Sequence, residues 1–500
     1  MENLSVLPSP YLDGLLDDFL LQGLIPLFES NRGCPFNCTF CTWGISAQKK
    51  VRQFPLDRIF DEMDYVSNIV PKSPFWIFAD ANFGIFPRDI DIAKRIGEIR
   101  KKNPSLSRVT IWTSKNRPDR NKEISHLIGN LDRTLIAVQT WDEIVEKNIK
   151  RTNIKKEDAS KLVREVKQEE GREVATDILC GLPGETYESH LRTLRMAFDV
   201  GFDFIDVGNV LMLPGSELET DESRQNFGLQ TKCRIRQGSY GEYCGIRAIE
   251  YEEIIRSTNS FGEDQMIRCR LIHWLIWLCW NAGFLKPLLL CLQRDYQVNP
   301  VDFLLRIMDE DKLNFPKLKC FFEKFVKESK GEWFNNPEEL KTFYSKSNHW
   351  TQLLEKGFAK MNFSYTAELI LCQELRDELY GYLESLLKDY HSNTTFEEIL
   401  LISRENHISP SDIIDNKTIH EKNFDISPKT ATYLFTSTII STGTTKSSCH
   451  VVLKSDETKM SMIRDYLIKC GFHVDQKHAV QKTLEPFMTA FSYEMKRIQI

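Results

Sequence analysis

Ser30-Asn31-Arg32-Gly33-Cys34-Pro35-Phe36-Asn37-Cys38-Thr39-Phe40-Cys41 places three cysteines within eight residues, spaced C-x3-C-x2-C, directly after a short apolar segment at 25–28. A loop of this length can turn three thiolates toward one centre. The number is informative. Structural zinc normally takes four protein ligands in a tetrahedron, and an electron-transfer 4Fe–4S cluster takes four cysteines. A cubane on three thiolates leaves one iron open for a small molecule. Two other readings of the spacing stand beside this one: a zinc knuckle with a remote fourth ligand, and three buried thiols that happen to be close.

Outward from this loop, short apolar, β-branched or aromatic runs alternate with longer amphipathic stretches, the pattern of βα units on a parallel sheet. Strands are expected at 26–29, 75–78, 109–112, 134–139, 174–179 and 202–207. The first helix starts at Pro55, whose missing N–H is not needed in a first turn, with Ile59, Met63, Val66 and Val70 on one face. Further helices are expected at 89–102, near 121–128, from Lys156 to a cap at Gly171, and ending at Gly201. The fold class is α/β: a partial (β/α)6 TIM-like barrel followed by a mainly helical C-terminal region. In such sheets chemistry collects at the carboxyl ends of the strands.

The expected division is a lead-in at 1–24, the barrel at 25–248, a helical domain at 249–415 covering its open end, and a small α/β tail at 416–500. Tyr365, Leu369, Cys372, Leu375, Leu379, Tyr382 and Leu386 make one helical stripe, and Asn336-Pro337-Glu338-Glu339 reads as a helix start. In the tail, 431–440 reads as strand and 460–469 as helix. The most apolar stretch, 271–292, carries three tryptophans but is interrupted by His273, Asn281, Gly283 and Lys286-Pro287, so buried helix is expected rather than a membrane span.

A net charge of −6 argues against a general nucleic-acid binder, which carries a basic excess. Thirteen cysteines at irregular spacing, with no N-terminal signal peptide, point to the reducing cytoplasm.

The C-x3-C-x-aromatic-C pattern resembles the signature of the radical S-adenosylmethionine (SAM) enzymes. The resemblance implies that Cys34, Cys38 and Cys41 hold a 4Fe–4S cluster whose open iron is chelated by the amino and carboxylate groups of SAM. It implies one-electron cleavage of SAM to methionine and a 5′-deoxyadenosyl radical, and a one-electron reductant of the flavodoxin or ferredoxin type. Phe40 matches the aromatic that packs near the adenine. Asp80-Ala81-Asn82 ends the second strand where the family places a run, often glycine-rich, that holds the amino group of SAM; here side chains replace the glycines. Gln139 at the end of the fourth strand and Arg151 twelve residues on match a pair that binds ribose and carboxylate. Their chemistry suits these roles, because an amide both donates and accepts, and a guanidinium grips a carboxylate bidentately. Gly181-Leu182-Pro183-Gly184-Glu185-Thr186 resembles a turn common in the superfamily; it lacks the lysine of a phosphate loop and is expected to be structural.

Tyr240, Tyr243, Cys244 and Cys180 are candidates near the open end of the barrel, with Tyr240 and Cys244 the ones named as hydrogen-atom donors. Several stretches resemble the cobalamin-dependent branch: Pro8-Ser9-Pro10-Tyr11-Leu12-Asp13-Gly14, Arg32-Gly33-Cys34-Pro35-Phe36, Asp80-Ala81-Asn82-Phe83-Gly84 and Ser239-Tyr240-Gly241-Glu242-Tyr243. That branch implies cobalamin and methyl transfer to carbon. The chain starts almost at the proline lead-in, and the Asp-x-His-x-x-Gly signature of base-off cobalamin binding is absent from it. The expectations are a separate cobalamin-binding protein, a truncated chain, or chemistry without cobalamin. The leading expectation is hydrogen abstraction from an unidentified small molecule or peptide; the rival class is a non-catalytic iron–sulfur or zinc protein.

Overall fold

The computed structural model describes residues 3–43, 50–114, 117–129, 134–170, 172–358, 360–390, 394–417, 421–435 and 448–498. The chain divides into two compact units, Met1–Gln230 with Ser257–Phe261, and Thr231–Arg256 with Gly262–Ile500.

Among the described residues, the first unit carries six strands that pair in parallel: β1 (Leu27–Phe28), β2 (Phe75–Phe78), β3 (Arg108–Thr110), β4 (Thr134–Leu135), β5 (Val174–Cys180) and β6 (Phe204–Asn209). They pair in sequence order as two three-stranded groups, β1-β2-β3 and β4-β5-β6. Thr113 Oγ1 donates to Leu135 O at 2.9 Å, linking the end of the first group to the start of the second. The longer helices between them are α1 (Leu56–Ile69), α2 (Asp89–Lys102), α3 (Pro118–Ile128), α4 (Lys156–Glu170) and α5 (Tyr187–Val200), with a short helix at Glu143–Asn148 before α4. This is the expected βα alternation, with β2 and α2 at the expected residues.

Each helix buries the face its apolar spacing defines. On α1, Ile59, Met63 and Val66 are buried. Gly97 on α2 lets α3 approach so closely that a Cβ there would stand 2.3 Å from Leu127 O. Thr186 closes a reciprocal capping box with Ser189 at the start of α5, and Gly201 ends that helix in the left-handed region at φ 89°. The cap expected at Gly171 lies outside the described residues. Tyr11 of the lead-in both donates to Leu27 O (2.8 Å) and accepts from Leu27 N (2.9 Å), so it closes the edge of β1 as a neighbouring strand would.

The second unit opens with a long hairpin, β7 (Gln230–Tyr243) and β8 (Ile246–Ser257), where helix was expected from about residue 249. The expected boundary at 248/249 falls inside β8. Cross-strand ion pairs Arg234–Glu252 (3.1 Å) and Arg236–Glu250 (3.8 Å) hold this ribbon. Few of its residues are buried, which is why it carries little apolar alternation. Helices follow. Asn336 caps Pro337–Ser345, accepting from Glu339 N at 2.8 Å as its sequence implies. The single stripe expected over 365–386 is two helices, Met361–Leu371 and Gln373–Leu387, broken where Cys372 takes an extended backbone. The stretch at 271–292 is likewise broken. Glu263–Asn281 and Lys286–Tyr296 meet at a 93° bend, and no single helix among the described residues is long and apolar enough to cross a membrane.

In the tail, β9 (Lys422–Ile426), β10 (Cys449–Lys454) and β11 (Glu494–Ile498) form an antiparallel sheet. Glu457–Lys469 is helical as expected. The strand expected at 431–440 is instead helix through Leu434, because Ser427 caps Pro428–Leu434; residues 436–440 lie outside the described set.

Candidate active site

The cysteine loop leaves β1 and is fastened at both ends. Asp80, at the end of β2, accepts from Ser30 N (2.8 Å), Asn31 N (3.0 Å) and Ser30 Oγ (2.5 Å). Arg88 donates to Ser30 O (2.8 Å) and Phe54 O (2.6 Å), and Phe54 N gives Ser30 O its second bond. Further along, Thr39 N donates to Ile149 O (3.1 Å), and Thr39 O accepts from Leu218 N (3.0 Å). The loop is therefore tied to β2, to the segment before Arg151 and to the segment after β6.

Side chains from distant residues reach the cysteine sulfurs. Asn82 Nδ2 donates to Cys34 Sγ at 3.1 Å, and Arg151 Nη1 lies 3.9 Å from Cys38 Sγ. Cys34 and Cys38 are buried, while Cys41 and the neighbouring Phe40 are half-buried. Arg151 is 7 % exposed and braced by Asn153 Oδ1 (2.6 Å) and by Ala137 O. Burial pulls its pKa below the usual guanidinium value, with Cys38 beside it working in the opposite sense.

Gln139 holds a left-handed backbone, φ 67°, rare for a residue with a side chain. Two bonds to β5 keep it there: Gln139 N to Asp177 O (2.7 Å) and Leu179 N to Gln139 O (2.9 Å). Strain of this kind persists where surrounding structure enforces it, and it collects at functional positions.

Asp80 corrects one expectation. Both of its oxygens are committed to Ser30 and Asn31, so it shapes the loop and offers little to a ligand. Burial raises its pKa to about 6. Asn82 is the reverse case: its Oδ1 is buried and has no hydrogen-bond partner, as do Thr39 Oγ1 in the cysteine loop and Ser216 Oγ after β6. Buried polar atoms are rarely left so, and each of these three is free to meet a ligand or a water.

Sequence reading missed a carboxylate pair. Asp177 on β5 and Asp206 on β6 stand directly opposite in register. Burial, then Asp206, raise the pKa of Asp177 to about 6, while Arg151 acts to lower it. The available signal was an aspartate inside each of two mostly apolar strands. The turn after β5 is structural, as expected: Glu185 Oε2 accepts from Gly181 N (2.7 Å) and Leu182 N (3.2 Å).

Tyr240 and Cys244 belong to the second unit. Tyr240 Oη accepts from Phe358 N at 2.9 Å, and Cys244 sits exposed in the hairpin turn at φ 50° beside Gly245 at φ 78°.

The donor set fits an iron–sulfur cluster with SAM: three soft ligands, N–H donors on two of their sulfurs, and unmet acceptors nearby. Residues 28–197 match the family described as the radical SAM superfamily. That match spans 28–197 of the 500 residues, and the family so matched is one of enzymes for which a 4Fe–4S cluster and SAM are the implied cofactors. It is similar to the cobalamin-dependent radical SAM methyltransferase TokK of Streptomyces tokunonensis, at 29% identity over 60% of this chain and 45% of TokK. It is also similar to the 2-(S-pantetheinyl)-carbapenam-3-carboxylate methyltransferase of Streptantibioticus cattleyicolor, at 28% identity over the same shares. The chain thus spans about half the length of these relatives. Among solved structures, the cobalamin-dependent SAM radical enzyme OxsB aligns over 81% of this chain and 60% of its own, with TM-score 0.36 and 12% identity.

Proposed function

We propose that the first unit cleaves SAM reductively, with Cys34, Cys38 and Cys41 as the three protein ligands of a 4Fe–4S cluster. When bound, such a cluster supplies one electron to SAM, giving methionine and a 5′-deoxyadenosyl radical that abstracts hydrogen from a substrate. The observation that carries this reading is the meeting of Asn82 and Arg151 on the sulfurs of Cys34 and Cys38.

Each residue then acts through its own chemistry. Arg151, held dry and braced, grips a carboxylate with its planar fork, which a lysine cannot do. Asn82 stabilises the charge on Cys34 through Nδ2 and turns its unmet Oδ1 to an ammonium. Gln139 offers an amide to a ribose diol. Phe40 flanks the adenine. Asp80 holds the loop in register, and Asp177 sets a carboxylate near enough to Arg151 to feel its charge. Keeping water and stray hydrogen donors from a reactive radical is the protein's share of such chemistry.

A second reading, cobalamin-dependent methyl transfer to carbon, is favoured by the names of the two curated relatives. It adds a cobalamin-binding module to the partners, beside a one-electron reductant of the flavodoxin or ferredoxin type.

The test is anaerobic. The protein is reconstituted with iron and sulfide, given dithionite and SAM, and its products are separated by chromatography. Deoxyadenosine that disappears in Cys38→Ala supports the reading. S-adenosylhomocysteine formed only with added cobalamin favours methyl transfer. Zinc at the site with a fourth protein ligand, and no SAM consumed, overturns both.

A further inference from the structure

One buried histidine in the first unit is left unused by the function proposed above. His190, on the first turn of α5, has no exposed surface, and its Nδ1 lies 2.8 Å from Glu185 Oε1, itself buried. The Cys180 thiol and a ring nitrogen of His190 come within 4.8 Å of each other. Burial disfavours a charged imidazole here, but Cys180 and Glu185 together outweigh it and hold the pKa well above the ordinary histidine range.

The carboxylate that His190 holds is the one that fixes the turn after β5. With Oε1 facing His190, Glu185 directs Oε2 to the N–H groups of Gly181 and Leu182. Gly181 and Gly184 take φ 95° and 82° in that turn. At Gly184 a Cβ would stand 2.4 Å from Asn148 Nδ2, so the turn has no room for a side chain there unless Asn148 shifts. The same carboxylate's residue is anchored from a third side, since Ser260 Oγ donates to Glu185 O at 2.8 Å, and the Phe261 ring lies 6.3 Å from that of His190. Directly before the turn, Leu179 N donates to Gln139 O and Asp177 O accepts from Gln139 N. These are the two bonds that keep Gln139 in its left-handed conformation.

We propose that His190 is a positioning residue for SAM: clamped between Cys180 and Glu185, it fixes the turn after β5 and, through β5, the backbone of Gln139. The inference rests on the proposed SAM-binding role of Gln139. A core histidine that only packs would lower stability when replaced and leave ligand affinity alone; a positioning residue moves affinity as well.

The experiment measures SAM affinity by equilibrium dialysis on anaerobically reconstituted full-length protein, alongside iron content and thermal midpoint. His190→Leu is expected to weaken SAM binding about tenfold, the scale of one lost charge-assisted hydrogen bond, with iron content unchanged. His190→Gln retains a side-chain N–H for Glu185 and is expected to recover most of that affinity, and it is the deciding variant if His190→Leu does not fold. In combination with Glu185→Gln, His190→Gln should weaken binding by less than the product of the two single effects, because both act on one turn. SAM bound as tightly by His190→Leu as by the wild type overturns the positioning role alone, and so does full additivity of His190→Gln with Glu185→Gln. A wild type that carries its cluster yet binds no SAM overturns the functional reading and this inference with it.

Discussion

Two stretches of this chain invite the same reading in sequence, an aromatic beside a reactive cysteine, and the fold treats them differently. Around Cys34–Cys41, side chains from residues 82 and 151 arrive at the sulfurs, and the loop backbone is tied to three distant segments. At the hairpin tip, Cys244 stands exposed in a left-handed turn, and the Tyr240 hydroxyl accepts from the backbone N–H of Phe358. Sequence supplies the reactive groups in both places. What marks a site is convergence, and convergence here comes from residues far along the chain, Asn82 and Arg151.

The comparison can be broken at the cysteine loop first. Cys38→Ala is expected to lower deoxyadenosine formation by at least about 1000-fold, since it removes a cluster ligand and not merely a contact. Product chromatography reads it, and a variant retaining a tenth of wild-type turnover would place the cluster elsewhere.

Arg151→Ala comes next, with kcat/KM for SAM falling about 100-fold. Arg151→Lys should recover little of the loss, because a point charge cannot make the planar two-bond grip. Full recovery in the lysine variant would reduce Arg151 to a charge beside Cys38.

The loop's anchor is tested by pH. The folded-state pKa of Asp80 is raised, from 3.8 to about 6, so the stability it contributes is complete below about pH 4 and is lost as pH rises through about 6. A shift of that size is worth on the order of 3 kcal/mol. Asp80→Asn has no proton to lose. Denaturant midpoints of the wild type should therefore fall relative to the variant's between about pH 4 and pH 7; parallel curves would mean that Asp80 is not buried as described.

The smallest effects belong to the hairpin. Tyr240→Phe leaves the Phe358 N–H unmet and should cost about 1 kcal/mol of stability, with SAM turnover unchanged. Cys244→Ala should stay within about 0.5 kcal/mol of the wild type with unchanged turnover. A tenfold drop in product yield from either would erase the distinction and restore them as hydrogen donors.

How much of this was legible in sequence follows from range. The barrel strands and helices are set by local alternation and caps, so β2 at Phe75–Phe78 and the capping of α5 by Thr186 could be read directly. The three cysteines announce themselves by spacing. The role of Asp80 could not be read, because its partners Ser30 and Asn31 lie about 50 positions earlier. Nor could the left-handed Gln139, a conformation imposed by β5. The hairpin was missed because its strands are joined by charge pairs such as Arg234–Glu252 more than by an apolar face, and the break at Cys372 because the stripe runs through it unchanged.

The central claim is that three protein thiolates hold a cluster with one open iron. Electron paramagnetic resonance of the reduced, reconstituted protein tests it directly, recorded with and without SAM. An open iron predicts a 4Fe–4S signal whose g-values shift when SAM is added, and whose shift is lost in Arg151→Ala. A signal that SAM leaves unchanged, from a cluster with four protein ligands, would contradict it.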